Sequence, residues 1–163
     1  MKEEIKKIKG NLLLITNDDE LINLASKNKN ITESYTLSNS SKTNKGKSKL
    51  KLKNKKIYIN KIKRYFNKKS IDNIVADYSL IKKYISCFVK NSIYLNRGNL
   101  YIYNLDEDIE YKYKRYDTKI EKNKNFMKID NSKSKNNIIK DNYYIFKDKK
   151  DKILDKLSDL ITS

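Results

Sequence analysis

The sequence Asn73-Ile74-Val75-Ala76-Asp77 decides the fold class of this chain. A short apolar run that ends in a carboxylate is typical of a strand buried on both faces of a parallel sheet. Apolar residues then recur at helical spacing and predict an amphipathic helix: Leu80, Ile81, Tyr84, Ile85, Phe88 and Val89. A buried strand followed by such a helix is the repeating unit of α/β proteins.

The same order of elements extends towards the amino terminus. Residues 12–16 predict another buried strand, and Asn17-Asp18-Asp19-Glu20 supplies the capping and acidic residues of a helix start. Residues 31–37 predict a second strand. Residues 57–59 predict a short third strand, and a helix is expected over residues 60–69.

Towards the carboxyl terminus, residues 97–99 predict a turn and residues 100–103 a strand. Residues 109–116 alternate apolar and charged side chains, as a half-exposed strand does. Repeated strand–helix alternation predicts an α/β, Rossmann-like three-layer fold with a mostly parallel sheet.

The chain of 163 residues is long enough for one domain. We expect an α/β core over residues 1–116, in which residues 38–56 form a flexible basic loop. Residues 117–141 have the composition of a low-complexity linker, and residues 142–163 predict an edge strand and a C-terminal amphipathic helix.

The charge balance favours anionic partners. Lys and Arg number 38 against 20 Asp and Glu, which gives a net charge of +18. Such a surplus suits nucleic acid or another polyanion. The alternative explanation of the high Lys content is codon bias in an AT-rich genome. Lys, Asn, Ile and Tyr have AT-rich codons, and the chain contains no Pro and only three Gly.

Two residue types that support much enzyme chemistry are scarce. The chain has no His and one Cys, which excludes a His general base, a His-ligated zinc site and an intrachain disulfide. A single thiol suits a reducing compartment, so we expect a cytoplasmic location. No apolar run is long enough for a membrane span, and no metal site is predicted.

Ligands of open parallel sheets bind beyond the carboxyl ends of the strands. The positions that meet there are residues 16–19, 37–38, 77–78 and 103–104. The sequence therefore predicts the functional site at this edge of the sheet.

Residues 10–116 resemble the class I S-adenosylmethionine-dependent methyltransferases, most clearly over residues 71–103. That family has a strand ending in an acid, a helix, a turn of the form L-x-x-G-G and a further strand; Leu95-Asn96-Arg97-Gly98-Asn99 is similar to the turn. The resemblance implies S-adenosylmethionine as cofactor. It implies that Thr16, Asn17 and Asp18 meet the cofactor, while Asp77 and Tyr78 orient the methyl acceptor.

The chain departs from that family's pattern at the cofactor site. Residues 16–19 contain no glycine where the family has a glycine-rich loop, and no acid ends the second strand at residues 37–39. No N-P-P-Y sequence follows the fourth predicted strand at residues 73–77, because the chain has no Pro. We therefore expect a degenerate member with weak or no catalysis.

A weaker resemblance is to the receiver domains of two-component systems. Asp72 and Asp77 are similar to the ends of that family's P-D-x-x-x-x-D strand. Paired carboxylates there would hold Mg²⁺ through oxygen ligands. No Lys-Pro follows the strand at residues 100–103, which departs from that family.

Two features favour a binding protein without catalysis. The basic loop alternates lysines that could contact phosphates, namely Lys45, Lys47, Lys49, Lys51 and Lys53. Tyr111 and Tyr113 would share one face of a strand at residues 109–116 and could stack bases. The predicted C-terminal helix either covers the sheet or docks on a protein partner.

Overall fold

The computed structural model describes residues 1–38 and 59–134, and Ile153 beyond them. Its centre is one six-stranded sheet. The strands are β1 (Gly10–Ile15), β2 (Ile31–Leu37), β3 (Ile71–Asp77), β4 (Asn96–Tyr103), β5 (Lys119–Lys122) and β6 (Phe126–Asp130). Their order across the sheet is β2-β1-β3-β4-β6-β5.

The first four strands are parallel, and β6 is antiparallel to both β4 and β5. The central strands pair in a continuous register, with Leu13 opposite Ile74 and Ile74 opposite Leu100. All three side chains are fully buried, as the apolar runs predict for strands covered on both faces. The predicted α/β class and the mostly parallel sheet are confirmed.

Helices pack on both faces of the sheet. The helices are α1 (Lys2–Lys7), α2 (Asp19–Lys27), α3 (Tyr78–Ile81), α4 (Ile85–Leu95) and α5 (Glu110–Lys114), with 3₁₀ helices at Ile59–Arg64 and Lys82–Tyr84. Ile5 of α1 and Leu21 of α2 pack with one set of sheet residues. Ile62, Phe88 and Tyr113 pack with the other set. We call these faces the α2 side and the α4 side.

Strand β4 begins earlier than predicted. Residues 97–99 belong to the strand and are not a turn, and the register between β3 and β4 shifts between Ile71 and Asn73. At this bulge the backbones of β3 and β4 lie very close together. A Cβ on Gly98 would lie 2.3 Å from the carbonyl oxygen of Asp72. The glycine that indicates a turn in the sequence serves a close strand contact instead.

The predicted helix over residues 80–89 is divided. Helix α3 ends at Ile81, a 3₁₀ turn covers Lys82–Tyr84, and α4 starts at Ile85. The predicted strand at 57–59 is contradicted at Ile59, which begins a 3₁₀ helix. That 3₁₀ helix ends at Arg64, so the longer helix predicted over residues 60–69 is also wrong.

The segment 109–116, predicted as a strand, contains helix α5. Ile109, Tyr113 and Tyr116 are all buried, and their spacing of four and three residues is helical. Tyr111 is 61% exposed, so Tyr111 and Tyr113 do not share a face. The alternation of Tyr and Lys fits both periods, and packing against α4 selects the helix.

The segment predicted as a linker forms two strands of the sheet as far as it is described. Strands β5 and β6 form a hairpin whose second strand pairs with β4, Met127 opposite Ile102. Met127 and Ile129 are fully buried on the α4 side. Alternating burial in β6 provides the reason, because every second residue contributes to the core.

Several sequence predictions lie outside the described residues. They are the basic loop beyond Ser38 with its five lysines, the remainder of the linker after Ser134, the edge strand at 142–146 and the C-terminal helix apart from Ile153. Ile153 is helical and 58% exposed. Within the described part of the chain, no helix has the length and apolar character needed to cross a membrane.

Candidate functional site

The carboxyl edge of the sheet brings together most of the positions predicted from the sequence. Ile15, Ala76 and Ile102 form one row across β1, β3 and β4. The residues that follow them, Thr16, Asp77 and Tyr103, therefore lie side by side at the strand ends. Because side chains alternate along strands, this polar row faces the α2 side.

Tyr103 closes the row across the end of β3. Its hydroxyl forms a hydrogen bond with Oγ1 of Thr16, two strands away. Thr16 Oγ1 also accepts from the backbone N–H of Asp18 at 3.0 Å. Tyr103 is only 8% exposed and Thr16 is fully buried, so the contact fills the space between the ends of β1 and β4.

Asp18 caps helix α2. Its Oδ1 accepts from the backbone N–H groups of Glu20 at 2.9 Å and Leu21 at 3.4 Å. These N–H groups at a helix start are the ones that usually hold an anionic ligand. Asn17 lies beside Asp18, and its Oδ1 accepts from Ser38 Oγ at 2.7 Å, which ties the ends of β1 and β2 together.

Asp77 and Tyr78 point in different directions. Asp77 Oδ1 accepts from the backbone N–H of Ser79 at 2.9 Å and from its hydroxyl at 2.8 Å, which caps the short helix α3. Tyr78 is fully buried in the core of the α4 side, where its hydroxyl bonds the carboxylate of Glu107. The structure thus places only Asp77 of this pair in the polar row.

The environment of Tyr103 keeps its phenol neutral. Burial raises the pKa of Tyr103 to about 12, and the nearby carboxylates of Asp77 and Asp18 act in the same direction. The hydrogen bond with Thr16 opposes this rise in the pKa. At neutral pH the row therefore holds a protonated phenol near the helix-capping side chains of Asp77 and Asp18.

A shallow groove borders the row beyond β4. It has a volume of about 540 Å³ and lies between residues 104–108 and the β5–β6 turn at residues 122–127. Asp106 pairs with Lys82 at 2.7 Å, and Asp108 pairs with Lys122 at 3.1 Å. Glu107 of the same groove is bonded by the hydroxyl of Tyr78, so the acidic side chains of the groove are already engaged by the protein.

The polar row does not fit S-adenosylmethionine. Thr16 is fully buried and its hydroxyl is bonded to Tyr103, so it offers no contact to a cofactor, whereas Asn17 and Asp18 are exposed. The first N–H groups of α2 are taken by Asp18. No step of a methyl transfer can be derived from these contacts.

The receiver-like pair of acids is separated by the strand itself. Asp72 and Asp77 stand at opposite ends of β3, roughly 16 Å apart along the strand. Asp72 is engaged by Arg97 Nε at 2.6 Å and by the backbone N–H of Asn11 at 2.8 Å, and the hydrogen bond from Arg97 is the main reason that its pKa is lowered. One Mg²⁺ cannot bind both carboxylates. Across residues 1–38 and 59–134, no group of three acidic or cysteine side chains could hold a metal ion.

Sequence reasoning located the strand ends but missed two contacts that define this edge. The sequence predicts residues 103–104 at the functional edge, but it predicts no role for Glu107 and no partner for Tyr103. Their partners, Thr16 and Tyr78, lie 87 and 29 residues away in the chain. No local pattern reports such pairs, although a tyrosine that ends a buried strand is a reason to expect one.

Comparison with models of known protein families finds no match, and no curated protein matches this chain significantly. The structure shows an α/β fold with a six-stranded, mostly parallel sheet.

Proposed function

We propose that this chain is a methyltransferase-like, Rossmann-like domain with weak or no catalysis. The strand order supports the relation, because one antiparallel strand, β6, lies between β4 and the edge strand β5. A reversed strand at this place in the sheet is a feature of the class I methyltransferase fold. The contact between Tyr103 and Thr16 is the observation that argues against an open cofactor cleft.

The first test is an isothermal titration of the full chain with S-adenosylhomocysteine at roughly physiological salt. We expect no saturable heat at millimolar ligand. A parallel assay with a labelled methyl donor, offered nucleic acid and basic proteins as acceptors, should show no transfer above the protein-free control.

A saturable one-site signal would contradict the loss of cofactor binding. In that case Asp77→Ala and Asp77→Asn separate two roles, because Asn still caps a helix while the charge is absent. Binding lost in both variants would assign the carboxylate of Asp77 to the cofactor. Binding lost only in Asp77→Ala would mean that Asp77 supports cofactor binding by capping α3, and not by its charge.

A second candidate function is polyanion binding through the basic segment. Residues 39–58 contain eight Lys and no Asp or Glu, and they carry a large part of the net charge of +18. The segment follows Ser38, which hydrogen-bonds Asn17 at the carboxyl edge. Alternating lysines suit loose contact with phosphates, with an affinity that falls steeply with salt.

The test replaces Lys45, Lys47, Lys49, Lys51 and Lys53 by Gln and measures retention on heparin. The matched control replaces five exposed lysines of the α2 side: Lys2, Lys6, Lys7, Lys27 and Lys29. We expect elution at clearly lower salt for the first variant only. Equal shifts in both variants would show that net charge, and not the segment, governs retention.

A further inference from the structure

The two helical layers of the molecule differ sharply in charge. On the α4 side, residues 62–70, 78–95 and 105–117 contain ten Lys and Arg and five Asp and Glu, a surplus of five positive charges. On the α2 side, helices α1 and α2 contain four Lys and four Asp and Glu. The positive surplus of the two helical layers therefore lies on the α4 side.

Codon bias does not account for this asymmetry. A biased genome would enrich Lys in both helical layers alike, because both are encoded by the same gene. The two layers also cover the same sheet and have similar needs for solubility. A difference confined to one face is the pattern expected when that face meets an anionic partner.

The charges of the α4 side are available at the surface. Lys63, Arg64, Lys68 and Lys83 are exposed, and none of them forms an ion pair within the part of the chain that the structure describes. Other cations of the α4 side are paired, Lys82 with Asp106 and Lys114 with Glu110. On the α2 side Lys2 pairs with Glu20 at 2.6 Å. Lysines of that side are thus partly neutralised by neighbouring carboxylates, as Lys6 and Lys7 also are.

Tyrosines accompany these charges. Tyr65, which follows the 3₁₀ helix Ile59–Arg64, is 45% exposed. Tyr111, which lies in α5, is 61% exposed. Lys83 Nζ lies 5.7 Å from the ring centre of Tyr84. Helix α4 contacts both the 3₁₀ helix Ile59–Arg64 and α5. The aromatic rings therefore border the same layer on both sides of α4, and the layer is roughly 20 Å wide at the usual spacing of packed helices.

From this we infer that the α4 side binds single-stranded nucleic acid. The inference rests on the polyanion-binding proposal and deepens it by naming a folded surface and a ligand. Exposed tyrosines can stack unpaired bases, while the neighbouring cations contact the phosphates. A duplex hides its base faces, and a lipid headgroup has none, so both would use only the charges.

The binding does not depend on base sequence. Specific readout relies largely on the paired donors of Arg, and the chain contains only Arg64, Arg97 and Arg115. Arg97 is held by Asp72 at 2.6 Å on the amino edge of the sheet. Lysine contacts and stacking tolerate any sequence.

The test measures binding of the full chain to a fluorescent oligouridine by anisotropy over a range of salt. The face variant combines Lys63→Gln, Arg64→Gln, Lys68→Gln and Lys83→Gln. Its control combines Lys2→Gln, Lys6→Gln, Lys7→Gln and Lys27→Gln, which removes the same charge from the α2 side. We expect the face variant alone to weaken binding at least about tenfold and to lower the salt slope by up to about 3.

A stacking variant, Tyr65→Ala with Tyr111→Ala, separates base contact from charge. We expect it to weaken oligouridine binding about tenfold while leaving the salt slope unchanged. Binding of a duplex of equal length should not respond to this variant. Thermal melting of each variant verifies that these exposed substitutions leave the fold intact.

Several results would overturn the inference. Equal losses in the face variant and its control would assign binding to net charge. Stronger retention on vesicles containing anionic lipid than on oligouridine would assign the face to membranes. Loss of binding only when the five lysines of residues 45–53 are replaced would leave polyanion binding intact and remove this face from it. No binding by the unmodified chain would reject both proposals together.

Discussion

Gly98 is the residue with the least room for a side chain in the described sheet. A Cβ there would lie 2.3 Å from the backbone oxygen of Asp72, and a backbone atom cannot move aside cheaply. The carbonyl of Gly98 also accepts from the backbone N–H of Asn131 at 2.8 Å. At the bulge of β4, Gly98 therefore packs against the backbone of β3 and accepts a hydrogen bond from the residue that follows β6.

We expect Gly98→Ala to lower the free energy of unfolding by about 3 kcal/mol, because the strands must separate to admit the methyl group. Urea denaturation measures this change. Arg97→Ala is the control at the same bulge, and its loss of an exposed ion pair should cost no more than about 1 kcal/mol. Equal stability of Gly98→Ala and the unmodified chain would contradict the close contact.

Tyr103 links the stability of the protein to alkaline pH. Its pKa in the folded state is about 12, above the ordinary value of 10.0, so folding favours the neutral phenol. The contribution of Tyr103 to stability is therefore complete below about pH 10 and is lost as the pH rises through about 12. Tyr35, whose pKa is also raised to about 12 by its bond to Glu33, adds to the same loss.

Tyr103→Phe isolates the share of this one phenol. At neutral pH we expect a cost of about 1 kcal/mol for the lost hydrogen bond with Thr16. Between about pH 10 and 12 the stability of the variant should fall less steeply than that of the unmodified chain. Denaturation curves at several pH values measure both effects, and parallel curves over that range would reject the role of Tyr103.

At the scale of elements, residues 109–116 show how packing chooses between two periods. Tyr111 and Tyr113 would share one face of a strand, but in helix α5 Tyr113 is fully buried and Tyr111 is exposed. Tyr113 contacts Ser92 of α4, with the two hydroxyl oxygens 3.0 Å apart. The contact with α4 is therefore available only to the helical arrangement.

Replacing each tyrosine by Ala tests this element. We expect Tyr113→Ala to lower the free energy of unfolding by about 3–5 kcal/mol, because a large buried ring is removed. Tyr111→Ala should stay within about 0.5 kcal/mol of the unmodified chain. Thermal or urea unfolding measures the difference, and similar costs at both positions would indicate a shared face instead.

For the whole molecule, the sheet order sets where stability is greatest. Strands β1, β3 and β4 have partners on both sides, whereas β5 has a described partner on one side only. The central strands also carry the fully buried residues Leu13, Ile74 and Leu100. Local opening of the sheet should therefore begin at its edges.

We expect hydrogen exchange to follow this order. Backbone amides of β1 and β3 should exchange slowest, and those of β5 should exchange by far the fastest of the three. Mass spectrometry or NMR of the full chain measures the exchange. Protection of β5 equal to that of β3 would mean that another segment covers the edge strand.

The sequence by itself determined the class of the fold and the positions of the buried strands. Runs such as residues 12–15 and 73–76 are apolar on consecutive positions, and only a strand covered on both faces buries them all. The bounds of β2 and the carboxyl ends of β3 and β4 follow from the same local composition, and β1 ends one residue before its predicted end. The edge of the sheet at which Thr16, Asp77 and Tyr103 meet also follows from that composition.

Only the tertiary structure decided the features that depend on distant partners. Contact with α4 stabilises residues 110–114 as a helix and not as a strand. Strand β6 belongs to the sheet because it pairs with β4. Thr16 and Tyr103 close the carboxyl edge although 87 residues separate them. The charge difference between the two faces also appears only once the helices are assigned to them. Local patterns record the period of burial, whereas these contacts arise from how the elements pack.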